Sequence, residues 1–312
     1  MNGEQGKVLI AAPVHAILTE GLSKAGYSCV IAEKITQEQA YELIQDCVGV
    51  ITSTRLQLDP ALIDAAPKLR WIGRMGSGME VIDVPYATQK GIRCYGSPEG
   101  NSNAVAEHAL GMLLSLTKRI THSHEEVEQG KWLRDANRGI ELEDKTIGII
   151  GFGNTGRAFA KKLQGFDMKI LAYDKYHDEA VPTYVEKCAD LTPIYKEADI
   201  VSFHVPLQND TTHYFNETFM GAMNKGFILI NTSRGIVAEP KVILEGLEIG
   251  KIRGVCLDVF EEEPMEKMSA ATRAILDAIT QYPQAIVTPH IAGYSYEAVY
   301  KMSKVLLERI LT

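Results

Sequence analysis

The sequence predicts an α/β protein made of two successive units, each built around a parallel β-sheet. Short apolar runs alternate with longer amphipathic stretches along nearly the whole chain, which is typical of strands separated by helices. These runs form two series that a long helical stretch separates. At 312 residues the chain is also larger than one common hydrophobic core. We therefore predict two domains.

The first series predicts four buried strands, at 8–12, 29–32, 48–51 and 71–73. Among the helices between them, the one over 36–46 should begin at Thr36, with Glu38 in its first turn. A helix from Asn103 to Ile120 should join the two series, and helical periodicity returns over 297–310. The second series predicts six strands, at 147–150, 170–173, 200–203, 227–230, 255–257 and 286–288.

The composition is that of an ordinary globular protein, with 46% hydrophobic and 23% charged residues. A net charge of −8 argues against a nucleic-acid partner. No apolar run approaches the ~20 residues that span a bilayer, and the N-terminus lacks the features of a signal peptide. The five cysteines are scattered singly, without the pairing of a metal site. We expect a cytoplasmic protein with buried thiols, no metal and no membrane partner.

A glycine-rich turn, Gly151-Phe-Gly153-Asn-Thr-Gly156, follows one predicted strand and opens a helix. Such a string alone is weak evidence, but this context fits the binding of a dinucleotide pyrophosphate at a helix N-terminus. Asp174 ends the next strand, where its carboxylate would accept hydrogen bonds from both ribose hydroxyls and repel a 2′-phosphate. The pattern predicts NAD as the cofactor. The neighbouring Lys175 leaves NADP open.

Each of three later strands is followed by a residue that could bind a substrate or transfer a proton. These residues are Arg234, Glu263 and His290. Each residue alone would more often be structural or solvated, but the carboxyl ends of parallel strands meet at one ligand crevice. A histidine can take the proton from a hydroxyl group that loses hydride, and a carboxylate would hold its ring in one tautomer. An arginine can pair with a substrate carboxylate and polarise a carbonyl oxygen. Together they predict oxidation of an alcohol that carries a carboxylate.

The ordered motifs resemble those of the D-isomer-specific 2-hydroxyacid dehydrogenases. The resemblance covers essentially the whole chain, through 130–132, 151–157, 204–207, 231–235, 258–264 and 288–290. It implies that His290 is the acid–base residue, that Glu263 tunes it, and that Arg234 binds the substrate carboxylate and keto oxygen. Glu261 and Glu262 would then be bystanders. The resemblance further implies cofactor contacts from Ser77, Asn154, Thr155, Val205, Pro206, Thr232 and Asp258.

The family's fold implies two Rossmann-like or flavodoxin-like doubly wound domains, with the cofactor domain inserted into the substrate domain. The substrate domain would comprise 1–97 and 291–312, and the NAD-binding domain 98–290. The family also implies a homodimer, formed mainly through the cofactor domain and the helix after Asn103. In this family a basic–aliphatic pair usually stands where this chain has Asn154-Thr155, and we expect little loss of binding from this difference.

The substrate loop predicted by the resemblance is Gly76-Ser77-Gly78, whose backbone would cradle a carboxylate. Asn101 lies in a segment similar to that of phosphoglycerate dehydrogenases, which implies 3-phosphoglycerate as substrate and a place in serine synthesis. Arg55 would reach the phosphate, although it is offset by one position from the family pattern, and Arg74 is an alternative. The chain ends soon after the family's core helix, so we expect no serine feedback through a regulatory domain. Reduction of hydroxypyruvate or glyoxylate, and an NADH-sensing corepressor-like protein, remain alternatives.

Overall fold

The computed structural model describes residues 5–176 and 180–312, which divide into two compact units. Unit 1 contains the chain up to Ala104 together with Gly293–Thr312, and unit 2 contains Val105–Ala292. Because the chain leaves unit 1 and later returns to it, unit 2 is inserted in the sequence of unit 1. The limits predicted from sequence, residues 97 and 290, lie near these boundaries.

Unit 1 contains a five-stranded parallel sheet in the order β2-β1-β3-β4-β5, which is the flavodoxin-like order. Its strands are β1 (Gly6–Ile10), β2 (Tyr27–Ile31), β3 (Cys47–Thr52), β4 (Trp71–Arg74) and β5 (Arg93–Tyr95). Its helices are α1 (Ala16–Lys24), α2 (Gln37–Leu43), α3 (Pro60–Asp64), α4 (Val84–Gln89) and the C-terminal α12 (Tyr296–Leu311). Leu306 of α12 is fully buried in one core cluster with Ile10 and Ile51, so the C-terminal helix completes this unit.

Unit 2 contains a seven-stranded parallel sheet in the order β12-β11-β10-β9-β6-β7-β8, which is a Rossmann order with one further strand. Its strands are β6 (Thr146–Ile150), β7 (Lys169–Tyr173), β8 (Glu186–Lys187), β9 (Ile200–Phe203), β10 (Phe227–Asn231), β11 (Ile252–Leu257) and β12 (Ala285–Val287). Its helices are α6 (Ile120–Glu128), α7 (Asn154–Leu163), α8 (Thr192–Glu197), α9 (Glu217–Ala222), α10 (Pro240–Glu248) and α11 (Ala270–Thr280). Helix α5 (Pro98–Thr117) runs from unit 1 into unit 2.

The central strands are apolar on both faces because helices cover both faces of each parallel sheet. Every residue of β3, β6, β9 and β10 is buried. The core of unit 2 includes an aromatic cluster in which Phe203, Phe215 and Phe219 are mutually in contact. This packing fixes where each strand ends, and therefore where each following loop begins.

The structure corrects three local predictions. The helix predicted over 36–46 has Thr36 as its N-cap and Glu38 in its first turn, as expected, but it ends at Leu43. The helix predicted over 103–120 begins earlier, at Pro98, and ends at Thr117. Arg119 then has a left-handed backbone (φ 56°), and its side chain donates to Asn137 over 2.9 Å, a contact that periodicity cannot reveal. Of the five thiols, Cys29 and Cys94 are half-buried, whereas the other three are buried as expected.

Among the described residues, no helix is both long enough and apolar enough to cross a membrane.

Candidate active site

A pocket of about 200 Å³ opens in unit 2 at the carboxyl ends of β6, β7 and β9. Strand β6 pairs with β7 on one side and with β9 on the other, so the connections that follow these strands diverge at this point. Ligands of doubly wound sheets bind at such a switch point. Five of the predicted cofactor residues line this pocket: Gly151, Gly153, Asp174, Val205 and Pro206.

The glycine turn has the shape that a pyrophosphate requires. Gly151 has a φ of +89°, and a Cβ there would lie 2.5 Å from the His204 carbonyl oxygen. A Cβ on Gly156 would lie 2.2 Å from the Gly151 carbonyl oxygen, so this glycine allows α7 to approach the turn. At Gly153, by contrast, a Cβ would meet no described atom within 4 Å. The turn therefore leaves open space at the N-terminus of α7, where Asn154 and Thr155 form the first turn and backbone N–H groups favour an anion.

Asp174 is held against the glycine turn by hydrogen bonds to its carboxylate. The backbone N–H of Phe152 donates to Oδ2 over 2.6 Å, and that of Tyr176 donates to Oδ1 over 2.9 Å. These two bonds fix the carboxylate on the pocket wall, and a carboxylate oxygen can accept more than one hydrogen bond. An adenosine ribose carries two such donors, so the pocket fits NAD.

His204 forms the floor of the same pocket as a neutral imidazole. Burial lowers the pKa of His204 to about 3. A hydrogen bond of 2.8 Å joins its Nε2 to the Ser202 hydroxyl, while its buried Nδ1 has no partner among the described residues. The resemblance covered residues 204–207 and implied cofactor contacts from Val205 and Pro206.

His290 and Glu263 form a hydrogen-bonded pair at the carboxyl ends of β11 and β12. His290 Nδ1 lies 2.5 Å from Glu263 Oε1. Because Glu263 accepts from Nδ1–H, the neutral ring has its lone pair on Nε2, which is the atom available to take a proton. The two acidic residues before Glu263 have other partners. Glu261 Oε1 lies 3.4 Å from His213 Nε2, and Glu262 Oε2 accepts from the Ser269 N–H over 2.8 Å.

The backbone around His290 is held by Asp258, which follows β11 and is 1% exposed. Its carboxylate accepts from the N–H groups of Ile291 and Ala292 over 2.9 and 2.8 Å, and from the Thr288 hydroxyl over 2.6 Å. His290 itself has a left-handed backbone (φ 55°), and its N–H donates to the Asp258 carbonyl over 2.7 Å. Asp258 therefore fixes the chain on both sides of the histidine. Its expected contact with the cofactor stays a prediction.

His108 of α5 belongs to this network, and sequence reasoning missed it. Its Nε2 lies 2.9 Å from the Thr288 hydroxyl and 3.4 Å from Asp258 Oδ1. Desolvation raises the pKa of the Asp258 carboxyl, but hydrogen bonds from His108, Thr288 and the two backbone N–H groups outweigh it. The pKa of Asp258 is therefore lowered, and the buried carboxylate stays charged.

Arg234 follows β10, where its loop packs against the loop that leads to Glu263. Its guanidinium is half-buried, and Nη1 donates to the Ser233 carbonyl over 2.7 Å. A Cβ on the next residue, Gly235, would lie only 2.1 Å from the Phe260 backbone, so only glycine allows this approach. Nearby, the buried Thr232 hydroxyl has no hydrogen-bond partner in the described chain. It remains available to a ligand.

The predicted substrate residues of unit 1 lie on two elements. The loop after β4 contains Gly76, Ser77 and Gly78. The Gly76 N–H donates a hydrogen bond to the Ser97 hydroxyl over 3.0 Å. Asn101 lies in α5, and its buried Oδ1 has no partner within the described residues. Arg55 is exposed after β3, whereas Arg74 is buried beneath the glycine loop, with Nη1 donating to the Met75 carbonyl over 2.6 Å. The exposed Arg55 is therefore better placed than Arg74 to meet a ligand from solvent.

The Rossmann sheet, the glycine cradle and the His–Glu pair define a nicotinamide-linked dehydrogenase. A family model described as "D-isomer specific 2-hydroxyacid dehydrogenase, NAD binding domain" matches residues 110–292. The chain belongs to the D-isomer-specific 2-hydroxyacid dehydrogenase family, and its cofactor is NAD.

Relatives with different substrates match the chain at similar identity. A D-3-phosphoglycerate dehydrogenase of Methanocaldococcus jannaschii is 34% identical over 97% of this chain, which spans only 56% of that relative. A hydroxypyruvate reductase of Thermotoga maritima is 33% identical over 90% of this chain and 89% of its own length. The solved D-lactate dehydrogenase of Aquifex aeolicus, complexed with NAD and lactic acid, is 26% identical, with a TM-score of 0.83 over 98% of this chain and 94% of that chain.

Replacing Asp258 by Asn should impair catalysis through the position of His290. The amide nitrogen would face the N–H donors of Ile291 or Ala292, so one acceptor is lost and the loop shifts. We expect kcat to fall by about 100-fold, because small displacements of a catalytic group have effects of this order. Steady-state kinetics measures the change. Asp277→Asn, an exposed charge on α11, is the control, and equal kcat values for the two variants would contradict this role.

The buried His204 should make unit 2 sensitive to acid. Because its pKa is lowered in the folded state, stability is fully present above pH 6.5 and is lost as the pH falls toward 3. The free energy of unfolding should fall by up to about 1.4 kcal/mol per pH unit from this group alone. His204→Gln should show a smaller slope in chemical denaturation between pH 6.5 and 4, whereas the exposed His124→Gln should keep it. Equal slopes in both variants would refute this account.

Proposed function

We propose that the protein oxidises 3-phosphoglycerate to 3-phosphohydroxypyruvate with NAD, a reaction of serine synthesis in the cytoplasm. The observation that carries the chemistry is the His290–Glu263 pair, with its Nδ1–Oε1 distance of 2.5 Å. Similarity to the phosphoglycerate dehydrogenase of Methanocaldococcus jannaschii over 97% of this chain supports the substrate. The exposed Arg55 supplies a cation for the phosphate.

In the oxidative direction, His290 Nε2 takes the proton of the substrate hydroxyl as the hydride leaves C2. Glu263 holds the Nδ1–H and stabilises the imidazolium that forms, since the carboxylate is directly hydrogen-bonded to it. Arg234 binds the substrate carboxylate and stabilises the negative charge on the oxygen at C2 in the transition state. When bound, NAD supplies the hydride acceptor. In reduction, His290 returns the proton.

A second candidate is the reduction of hydroxypyruvate or glyoxylate. The hydroxypyruvate reductase of Thermotoga maritima matches this chain over 89% of its own length, whereas this chain spans little more than half of the phosphoglycerate dehydrogenase. The same His290, Glu263 and Arg234 would serve that reaction, because both substrates carry a carboxylate beside the reacting carbon. The remaining residues proposed to bind substrate are Gly76, Ser77, Gly78 and Asn101.

We also propose that the protein is a homodimer. Five large apolar side chains are exposed on α6 and the segment after it: Ile120, Val127, Trp132, Leu133 and Ile140. Trp132 alone is 84% exposed, and five exposed large apolar side chains within one segment of the chain support an association surface there. A second copy of the chain would bury this surface.

The substrate is tested by the absorbance change at 340 nm with purified protein. We expect NAD with 3-phosphoglycerate to give the highest kcat/KM among 3-phosphoglycerate, hydroxypyruvate, glyoxylate and pyruvate in their respective directions. His290→Asn should lower kcat by about 10²–10⁴-fold, the usual contribution of a general acid–base group. Arg55→Gln should raise KM for 3-phosphoglycerate and leave KM for hydroxypyruvate unchanged.

Turnover of the unphosphorylated keto acids alone would favour the second candidate and leave the assigned mechanism intact. Full activity of His290→Asn would show that another residue is the acid–base group. If the wild-type protein bound NADH but turned over none of these substrates, the NADH-sensing interpretation would replace both enzymatic ones.

The dimer is tested by Trp132→Asp. A charge in place of the most exposed apolar residue of this segment should dissociate the dimer at micromolar concentration, and sedimentation velocity measures the mass directly. Ile249→Asp is the matched control, because Ile249 is a large apolar residue, 64% exposed, outside the proposed interface. A monomeric wild-type protein, or a Trp132→Asp variant that stays dimeric, would exclude this interface.

A further inference from the structure

The cofactor pocket carries a second carboxylate besides Asp174, and sequence reasoning did not assign it. Asp210 lies in the turn after β9, and it lines the pocket together with Asp174, Lys175 and Tyr176. Its Oδ2 accepts from the Lys175 ammonium over 2.6 Å and also from the Tyr176 hydroxyl. The Lys175 nitrogen lies 5.3 Å from the centre of the Tyr176 ring. Hydrogen bonds from Lys175 and Tyr176, in the loop after β7, to Asp210, in the turn after β9, therefore join these two segments at the pocket.

The turn that carries Asp210 is held by contacts that do not involve Lys175. The side chain of the next residue, Thr211, is 4% exposed. Its hydroxyl donates to the Pro206 carbonyl over 2.7 Å and accepts from the Gln208 N–H over 2.8 Å. The backbone on the C-terminal side of Asp210 is therefore held within the turn itself.

The charges at the pocket decide which dinucleotide it accepts. Among the described residues that line the pocket, Lys175 is the one Lys or Arg, and its ammonium is hydrogen-bonded to the carboxylate of Asp210. A 2′-phosphate on the ribose needs a cation, whereas a 2′-hydroxyl needs an acceptor. The hydrogen bond to Asp210 raises the pKa of Lys175, and the same bond lowers the pKa of Asp210. Both groups are therefore charged at neutral pH, and the ammonium is already neutralised by its partner.

We propose that Asp210 is a second determinant of the preference for NAD, because it holds the cation that would otherwise receive the 2′-phosphate of NADP. The pair is half exposed (55% for Lys175 and 36% for Asp210), and such pairs contribute little to folding stability. The Lys175–Asp210 pair instead affects which of the two dinucleotides the pocket binds. When Lys175 turns toward a phosphate, it leaves Asp210, and the phosphate then also meets the negative charge of Asp210.

Asp210→Asn tests this role, because it removes the charge and keeps the size of the side chain. We expect the ratio of the NADPH to the NADH dissociation constant to fall by about tenfold at low ionic strength, an effect typical of one partly exposed charge. Isothermal titration calorimetry with each reduced cofactor measures the ratio without any substrate. Added 0.5 M NaCl should reduce the difference between variant and wild type.

The chain offers a matched control in unit 1. Asp64 accepts from Lys90 over 2.6 Å and from the Tyr86 hydroxyl over 2.7 Å, with Lys90 5.2 Å from the ring centre of Tyr86. Asp64→Asn therefore removes the same kind of carboxylate from the same kind of cluster, away from the cofactor pocket. Its dissociation-constant ratio should equal that of the wild type.

Two further variants separate charge from structure. Asp210→Glu keeps the charge, so its ratio should stay within about twofold of the wild type, well below the effect of one charge. Adding Lys175→Gln to Asp210→Asn should cancel the gain in NADPH binding, because no cation then remains for the phosphate. The proposal is wrong if Asp210→Asn leaves the ratio unchanged, or if the gain survives without Lys175. Neither result depends on which hydroxy acid is the substrate.

Discussion

The buried carboxylate of Asp258 is the interaction on which the geometry of the acid–base pair depends. It binds the chain immediately after His290 through two backbone N–H groups, and the chain before it through the Thr288 hydroxyl. Unpaired, such a buried charge would cost several kcal/mol, so its partners must be complete for the fold to tolerate it. His108 completes the set from α5. A histidine with a left-handed backbone is thereby held in one position relative to Glu263.

The parallel sheet of unit 2 accounts for the position of the cofactor pocket. With β6 between β7 and β9, the loops after these strands diverge and leave space above the edge of the sheet. The glycines then decide what occupies that space: Gly151 and Gly156 allow close backbone contacts, and Gly153 leaves the cradle open. A pyrophosphate at the N-terminus of α7 would satisfy N–H groups that the N-cap Gly153 has no side chain to satisfy. The same glycine turn therefore allows α7 to pack closely against the sheet and leaves a site for an anion.

Local patterns in the sequence predicted the strands, the glycine turn and Asp174, because each depends on residues within one strand–turn–helix segment. Arg234, Glu263 and His290 could be selected because each follows an apolar strand, and the topology of parallel sheets is general. The contacts of His108 could not be predicted in this way, because its partner Thr288 is 180 residues away in sequence. The hydrogen bond from Arg119, the residue with a left-handed backbone after the long helix, to Asn137 is likewise a contact that helical periodicity does not show. The pairing of Lys175 with Asp210 joins two loops that only the folded sheet brings together.

Four carboxylates at the carboxyl edge of one sheet have different roles because their surroundings differ. Asp258 is enclosed and fully hydrogen-bonded, so it positions backbone and has little capacity left for a ligand. Glu263 is partly exposed and has the imidazole of His290 as its partner, so it can respond when that ring gains a proton. Asp174 is anchored by two N–H groups but lines open space, so it can accept from a ribose. Asp210 lines the same space but is directed to a lysine. Depth of burial and the nature of the first donor therefore separate positioning, proton transfer and cofactor recognition, although the side chains carry the same chemical group.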